Sequence, residues 1–353
     1  MKRHVSTALA ALFVVAIAGL AVHHNMGKPK VLILHSYGPD YAWTRDVDTG
    51  LRRGLGDVRR YSLRWHYMDL KRHPWPASRK AAGVQARRII DEWKPELVIA
   101  VDDDAQQYAA KYYVNRPDIR IVFAGINGSI EPYGYDKARN VTGVLERPPV
   151  QALRDALLLA SGSRPPRIVE ISDDSESVRR DHEFMNKADW APAIRTGSEL
   201  VGTWPAWQRA ILAAAGKADV IVTVNYRQLR RSEHDARLMP PEEVVRWTVE
   251  HAPVPVVGIN GFFVEEGGML AIAKSPFEQG EDAAAMARRI LDEGIPAGDI
   301  PVETPRQFVV LMRPRLMARH GLRLPEIYEA FARATNNYFA DAAQTTGLDA
   351  KQP

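Results

Sequence analysis

The sequence contains no cysteine. This absence excludes disulfide bonds, thiolate metal sites and a cysteine nucleophile. It also excludes a lipid-modified cysteine behind an export leader, one common way of tethering a secreted protein to a membrane. A chain without cysteine is compatible with an oxidising compartment but gives no evidence that the protein resides in one.

The sequence motifs of several catalytic classes are missing as well. No Gly-x-Gly-x-x-Gly follows the first predicted strand, so a bound dinucleotide would lack its phosphate turn. The chain also has no Gly-x-x-x-x-Gly-Lys-Ser/Thr loop, no Gly-x-Ser-x-Gly turn and no His-Glu-x-x-His pair. We therefore predict that the chain is not an enzyme, that it uses no cofactor and no metal, and that it binds a small molecule.

The charges are mixed rather than concentrated in one part of the chain. Lys and Arg number 47 against 43 Asp and Glu, which gives a formal net charge of +4. Arginine pairs such as Arg52-Arg53 and Arg230-Arg231 are spread over the length, whereas a nucleic-acid-binding protein concentrates its cations on one element. We predict no nucleic-acid partner.

The first 29 residues have the pattern of an export signal. Lys2-Arg3 precede an apolar run from Val5 to Val22, followed by a polar stretch. The run approaches the roughly 20 residues that span a bilayer, so an uncleaved N-terminal anchor is one alternative and a buried first helix is another. Cleaved signal and anchor both predict a periplasmic protein.

Short apolar runs alternate with amphipathic segments along the remaining chain. The first four predicted strands lie at 31–34, 63–68, 97–101 and 119–124, with helices between them. A break rich in Gly and Pro from Gly125 to Asn140 and a single strand from Val141 to Glu146 precede a second alternation. Its strands are predicted at 167–171, 220–224 and 254–258, followed by an amphipathic helix from Pro276 to Glu293 and an extended segment from Pro301 to Leu311. Such alternation is typical of parallel doubly wound sheets.

We therefore predict an α/β protein with two Rossmann-like lobes and a hinge of crossing strands. Lobe 1 would comprise 30–126 plus 262–305, and lobe 2 would comprise 144–260 plus 306–340, leaving a polar tail at 341–353. A 353-residue chain suits two domains of ordinary size, and we expect a monomer or a weak dimer. Small ligands bind at the carboxyl ends of parallel strands, so the predicted site is a cleft between the lobes.

The candidate ligand-binding residues follow the predicted strands. They are Ser36, Tyr37, Trp43, Asp103, Asn127, Asp174 and Asn225. The aromatic rings would pack on the ligand, and the polar groups would fix its orientation.

Some residues after the strands also suit a structural or metal-binding role. Ser36, Asp104 and Ser175 are suitable helix N-caps, and Tyr37 and Trp43 also suit a core. Asp102, Asp103 and Asp104 could form a Mg²⁺ or Ca²⁺ cluster, or serve an extracytoplasmic enzyme. Asn140-Val141-Thr142 matches a glycosylation sequon, although it stands at the start of a predicted strand.

The order of these motifs resembles a known family. Five segments carry the resemblance: His35-Ser36-Tyr37, Tyr67-Met68-Asp69, the Asp102-Asp103-x-Ala105 turn, the run from Val122 to Asn127, and Val141-Thr142-Gly143-Val144. Together they resemble the ABC-transporter substrate-binding family, which is related to tryptophan- and tyrosine-type binding proteins. The resemblance extends from about Lys30 to Pro325 and implies a type I periplasmic-binding fold with three chain crossings.

The resemblance also implies partners. It mainly implies that the chain is the solute-binding protein of an ABC-type uptake system. Such a protein closes on a small molecule and then contacts a membrane permease. The Asp-Asp and Met-Asp-x-Lys-Arg variants resemble members that serve sensor kinases, so the alternative is a ligand sensor that passes its closed state to a membrane histidine kinase. The three aspartates favour a cationic or polyhydroxylated ligand over an amino acid bound in the family's usual manner.

Overall fold

The computed structural model describes residue 13 and residues 27–340, apart from positions 57 and 163. The apolar run of the predicted leader lies outside this part of the chain except at position 13, and the polar tail from 341 lies outside it entirely. The described residues form two compact units: unit 1 contains those up to Glu146 and Pro276–Pro305, and unit 2 contains Arg147–Ser275 and those from Arg306. None of the described helices has the length and apolar character needed to cross a bilayer.

Each unit is built on one sheet. The strands of unit 1 are β1 (Lys30–His35), β2 (Ser62–Tyr67), β3 (Leu97–Val101), β4 (Arg120–Ile126) and β5 (Val141–Leu145). Those of unit 2 are β6 (Arg167–Asp173), β7 (Ile194–Val201), β8 (Val220–Thr223), β9 (Val256–Gly258), β10 (Leu270–Lys274) and β11 (Phe308–Met312).

Helices connect most of these strands. In chain order they are α1 (Ala42–Leu55), α2 (Pro76–Trp93), α3 (Asp102–Tyr108), α4 (Val150–Ser161), α5 (Glu176–Lys187), α6 (Trp204–Ala213), α7 (Pro241–His251), α8 (Phe262–Glu265), α9 (Pro276–Leu291), α10 (Pro314–Arg319) and α11 (Glu326–Ala334).

The sheet of unit 1 has the order β2-β1-β3-β4-β5, and all its pairs are parallel. Successive side chains of a strand point to opposite faces, so Val31 and Ile33 enter one core while Leu32 and Leu34 enter another. Helices α1 and α9 cover the first core, and α2 and α3 cover the second. A central strand buried on both faces explains the continuous apolar run at 31–34.

Helices α1 and α9 pack closely because both carry glycine at the contact. A Cβ atom built on Gly50 would lie 2.1 Å from the backbone oxygen of Phe277, and one on Gly280 would lie 2.2 Å from the oxygen of Val47. No side chain fits at these distances. The contact joins the 276–305 segment to the N-terminal part of unit 1.

The sheet of unit 2 has the order β11-β10-β9-β8-β6-β7 and is parallel except for the β10–β11 pair. Its two faces are covered by α4, α5, α10 and α11 on one side and by α6, α7 and α8 on the other. The predicted α/β fold with two doubly wound units is confirmed.

Three details differ from the sequence prediction. Residues 262–275 belong to unit 2 rather than lobe 1, because β10 pairs with β9 and β11. Strand β7 was not predicted, since its residues Ile194–Val201 are mostly exposed at the sheet edge and show no apolar run. The extended segment predicted from Pro301 becomes a strand only at Phe308, where pairing with β10 begins.

Candidate functional site

Polar and aromatic side chains gather at the carboxyl edge of the unit 1 sheet. Because its five strands run in parallel, Tyr37 after β1, Asp69 after β2, Asp103 after β3 and Asn127 after β4 all lie at this edge. Tyr37, Trp43, Asp103 and Asn127 are half-buried, so each keeps part of its surface open to solvent.

The Ser36 side chain binds the protein backbone at this edge. It is fully buried, its hydroxyl donates to the Val101 carbonyl over 2.7 Å, and the hydroxyl oxygen accepts the Ala105 N–H at 2.8 Å. This pair of bonds fixes the first turn of α3 beside β1. Ser36 is not itself a helix N-cap, because Tyr41 and Val101 hold that position for α1 and α3, and its contact with a ligand stays a prediction.

Tyr37 lies in a cluster of rings and charges. The ammonium nitrogen of Lys71 is 4.4 Å from the centroid of its ring, a cation–π distance, and the Tyr41 ring meets it edge-on with centroids 5.5 Å apart. Burial raises the pKa of the Tyr37 phenol well above its usual value, and the negative charges of Asp102 and Asp104 raise it further. Tyr37 is therefore a neutral hydrogen-bonding group at physiological pH.

Asp102 is the most constrained residue of the edge. It is 3% exposed and adopts a left-handed φ of 65°, uncommon for a residue other than glycine. Its Oδ1 accepts the indole N–H of Trp43 at 3.1 Å, whereas its buried Oδ2 has no hydrogen-bond partner. Burial raises its pKa well above the usual range, and the nearby carboxylate of Glu146 adds to the effect. Asp102 is thus biased toward its neutral, proton-donating form.

Asp103 and Asn127 belong to one network. The Tyr133 hydroxyl donates to Asp103 Oδ1 at 2.7 Å, and the Asn127 N–H reaches Asp103 Oδ2 at 3.4 Å. The side-chain amide of Asn127 donates to Glu146 Oε2 at 3.1 Å. The chain of contacts holds both predicted residues beside the buried carboxyl of Glu146.

The three consecutive aspartates contact three different groups. Asp102 accepts from Trp43, Asp103 from Tyr133, and Asp104 from Arg79 at 3.0 Å. Within the described part of the chain, no set of three or more His, Asp or Glu side chains is arranged to hold a metal ion.

In unit 2 the predicted residues stand at the ends of β6 and β8. Asn225 Oδ1 accepts the backbone N–H groups of Tyr226 and Arg227 at 2.9 and 3.2 Å, so this side chain shapes its own turn. Asp174 is half-buried, and its carboxylate lies 3.9 Å from the Arg179 guanidinium. Its neighbour Asp173 is fully buried, and burial raises its pKa.

A second group at the same end of unit 2 was not predicted. Glu266 accepts hydrogen bonds from the Tyr226 hydroxyl and from the Arg227 guanidinium, which also lies 4.0 Å from the centroid of the Phe262 ring. Burial raises the pKa of the Tyr226 phenol, and the Glu266 charge reinforces the shift. This cluster combines a planar cation, a carboxylate and two aromatic rings.

Sequence reasoning also missed several partners in unit 1. Lys71 follows a predicted strand and Glu146 ends one, and these positions could have marked them as candidates. Tyr133 lies in the Gly- and Pro-rich break, where no periodic pattern points to it. The sequence prediction names Asp103 rather than Asp102 as a ligand-binding residue, because the sequence does not show which of the three aspartates has a buried side chain.

The comparisons with known proteins come from a family model and from solved structures. The model described as "ABC transporter substrate binding protein" matches residues 242–335. No curated protein sequence matches the chain.

Three solved structures share the fold over most of the chain. A conserved domain protein from Vibrio cholerae has a TM-score of 0.58 at 19% identity and covers 86% of this chain and 98% of its own. An ABC domain in complex with L-Trp from Streptococcus pneumonia has a TM-score of 0.56 at 15% identity and covers 85% of this chain and 98% of its own. The third is the ligand-free, open structure of CD0873, a substrate binding protein with adhesive properties from Clostridium difficile. It has a TM-score of 0.63 at 15% identity and covers 84% of this chain and 96% of its own.

At these identities the structural likeness establishes the fold alone, and the family model adds a similarity that is confined to residues 242–335. The matched segment lies outside the motifs from His35 to Val144, so the resemblance that these motifs carry stays a prediction. Over residues 242–335 the chain is therefore similar to ABC transporter substrate-binding proteins, and it shares its fold with the three solved structures.

Proposed function

We propose that the chain is the extracytoplasmic solute-binding component of an ABC-type uptake system, and that the carboxyl edge of unit 1 provides its main ligand contacts. The observation that supports this most is the juxtaposition of Tyr37, Trp43 and Asp102. Two half-buried rings lie beside a buried carboxyl whose Oδ2 has no partner. Ligand sites of this kind pair apolar or aromatic surface with a few fixed polar groups.

The charges of this edge support a ligand class. Asp103 and Glu146 lie close to Asp102, and Tyr37 and Asn127 add hydrogen-bonding groups. A ligand carboxylate would meet like charge there, whereas an ammonium or several hydroxyl groups would find acceptors. The proposed ligand is therefore a cationic or polyhydroxylated small molecule. Asp174 and Asn225 remain predicted contacts on unit 2.

A thermal-shift screen over polyamines, sugars, nucleosides and amino acids tests this proposal. A ligand present at 100 times its dissociation constant stabilises the folded state by about 2.7 kcal/mol, so a specific ligand should raise the melting temperature clearly. We expect the hit among polyamines, sugars or nucleosides. Tyr37→Ala and Asp103→Asn should weaken its binding at least about tenfold, while Asp136→Asn, at an exposed position, should not.

Two results would contradict the proposal. If none of these compounds moves the melting temperature, a role in binding a protein partner becomes the stronger hypothesis. If the purified chain converts the bound compound, as shown by mass spectrometry of the recovered ligand, the protein is an enzyme.

The sensor alternative rests on the Asp102-Asp103 and Met68-Asp69-x-Lys71-Arg72 variants. Reconstitution distinguishes the two roles: the ligand-bound chain should stimulate the ATPase activity of a cognate permease complex in an uptake system. Stimulation of histidine-kinase autophosphorylation, with no effect on a permease, would establish the sensor role instead.

A further inference from the structure

A groove of about 780 Å³ opens on unit 1, away from the carboxyl edge of its sheet. It is lined by residues of the segments 115–120 and 137–140, and by residues 290–297 at the end of α9 and beyond it. Arg120 begins β4 and Ile126 ends it. A strand of that length spans about 20 Å, so the groove lies at the opposite edge from Asn127.

The groove is cationic. Arg116, Arg120, Lys137 and Arg139 line it, and none of its described lining residues is acidic. Arg116 is neutralised by Asp118, to which its Nε donates at 3.0 Å. Within the part of the chain that the structure describes, the other three cations form no ion pair. They therefore contribute an uncompensated positive field.

The backbone that carries these cations is held in place by two asparagines. The side-chain amide of Asn140 donates to the carbonyls of Tyr113, Arg116 and Ile119 at 2.9, 3.2 and 2.8 Å. The Asn115 side chain accepts the Arg139 N–H at 2.9 Å. The two loops are thus fixed to each other, and the like charges they carry cannot separate by loop movement.

Apolar residues form the rest of the lining. Ile119 and Ile290 are buried, and Ile295 is half-buried. No large apolar side chain of the lining is exposed, whereas a surface that inserts into a bilayer presents such side chains outward. The lining suits a molecule that enters the groove better than a membrane on which it would rest.

We propose that this groove is a second ligand site, and that it binds a soluble organic molecule carrying at least two negative charges, such as a polycarboxylate or a phosphorylated compound. Its volume lies within the range of about 300–1,000 Å³ typical of small-molecule sites. The cations would bind the charged groups, and the isoleucines would pack against the carbon skeleton. The site is independent of the ligand contacts proposed at the carboxyl edge, because the two sets share no residue.

Isothermal titration of the full chain at low ionic strength tests the site, with citrate and phenyl phosphate as probes and acetate as the singly charged control. We expect both probes to bind, acetate to bind much more weakly, and affinity to fall as salt is added. The double variant Lys137→Gln/Arg139→Gln should lose about tenfold or more in affinity. The matched control Lys80→Gln/Lys217→Gln removes two exposed positive charges elsewhere and should bind as the wild type does.

Three results would overturn the proposal: no binding of either probe, equal loss in both double variants, or binding of anionic phospholipid vesicles without binding of the soluble probes. A ligand found by the thermal screen should bind the Lys137→Gln/Arg139→Gln variant with unchanged affinity. If that ligand no longer binds the variant, the two sites are not separate. If it still binds, the proposal for the carboxyl edge is supported independently of the result for the groove.

Discussion

The indole N–H of Trp43 donates to Oδ1 of Asp102 across 3.1 Å and thereby ties helix α1 to the start of α3. The other oxygen of the same carboxyl is buried without a partner, and the residue holds a left-handed backbone conformation. Buried unpaired acceptors are uncommon in folded proteins, and strained residues cluster at functional sites. This one carboxyl therefore combines two features that are more typical of a binding site than of a core.

We predict that Asp102→Asn stabilises the protein at neutral pH. Burial raises the Asp102 pKa, so the unfolded chain loses its proton at a lower pH than the folded chain. Stability contributed by this group is present below its unfolded pKa of about 4 and falls as pH rises. The amide carries no such cost, so the variant should gain about 1–3 kcal/mol at pH 7. Urea unfolding at pH 4 and pH 8 measures the gain, which should be larger at pH 8.

The control is Asp136→Asn, at an exposed position of unit 1. Its free energy of unfolding should stay within about 0.5 kcal/mol of the wild type at both pH values. An effect of Asp102→Asn that is the same at pH 4 and pH 8 would show that folding does not raise the pKa of Asp102.

Gly125→Ala should destabilise the protein more than Gly134→Ala does. Both glycines have a φ of 73°, so alanine meets the same backbone penalty of about 1 kcal/mol at each. A Cβ atom at 125 would also lie 2.9 Å from Oδ1 of Asp102, whereas nothing lies within 4 Å of one at 134. We expect an additional loss of about 1–2 kcal/mol at 125, measured by urea unfolding. Equal losses would show that Asp102 moves aside at little cost.

Asp48 should make the protein sensitive to acid. Burial alone raises the pKa of this carboxyl, but hydrogen bonds from buried His35, from Tyr67 and from Trp65 outweigh it and lower the pKa below 3.8. Its stabilising contribution is then fully present above about pH 4 and is lost as pH falls through the folded pKa. The free energy of unfolding should decline below pH 4 in the wild type.

In Asp48→Asn that acid-dependent decline should be shallower. The variant should also lose about 1–3 kcal/mol at pH 7, because the amide offers a single acceptor oxygen to three donors. Thermal unfolding between pH 3 and pH 7 checks both effects. An acid decline as steep in the variant as in the wild type would assign the sensitivity to other carboxyl groups.

Much of the fold follows from the sequence, and the failures have physical reasons. The run at 31–34 predicts a strand buried on both faces, and Val31 to Leu34 are fully buried. Strand β7 escaped prediction because an exposed edge strand needs no apolar run. The assignment of 262–275 failed because the pairing of β10 with β11 joins segments far apart in the chain, and no local pattern encodes it.

The site was predicted less completely than the fold. The position after a parallel strand correctly placed Tyr37, Asp103 and Asn127 at one edge, since sheet topology alone decides this. It could not show that the Ser36 hydroxyl faces inward, because that depends on the Val101 carbonyl and the Ala105 N–H from another part of the chain. The basic groove gave no sequence signal, because Arg116, Lys137 and Ile290 meet only in the folded unit.

Asn140→Ala should be among the more damaging single changes in unit 1. The Asn140 amide donates to three backbone carbonyls, and its oxygen accepts the Asn115 N–H at 2.6 Å. Removing the side chain leaves these groups without their partner, so we expect a loss of about 2–4 kcal/mol in urea unfolding. Asn186→Ala, at an exposed asparagine on α5, should cost about 1 kcal/mol or less.

The same hydrogen bonds of the Asn140 side-chain amide should prevent glycosylation of the sequon that Asn140 begins. When the folded chain is incubated with a glycosylating extract, its intact mass should equal that of the bare polypeptide. A modified Asn140, or a loss no greater than that of Asn186→Ala, would show that the two loops do not depend on this side chain.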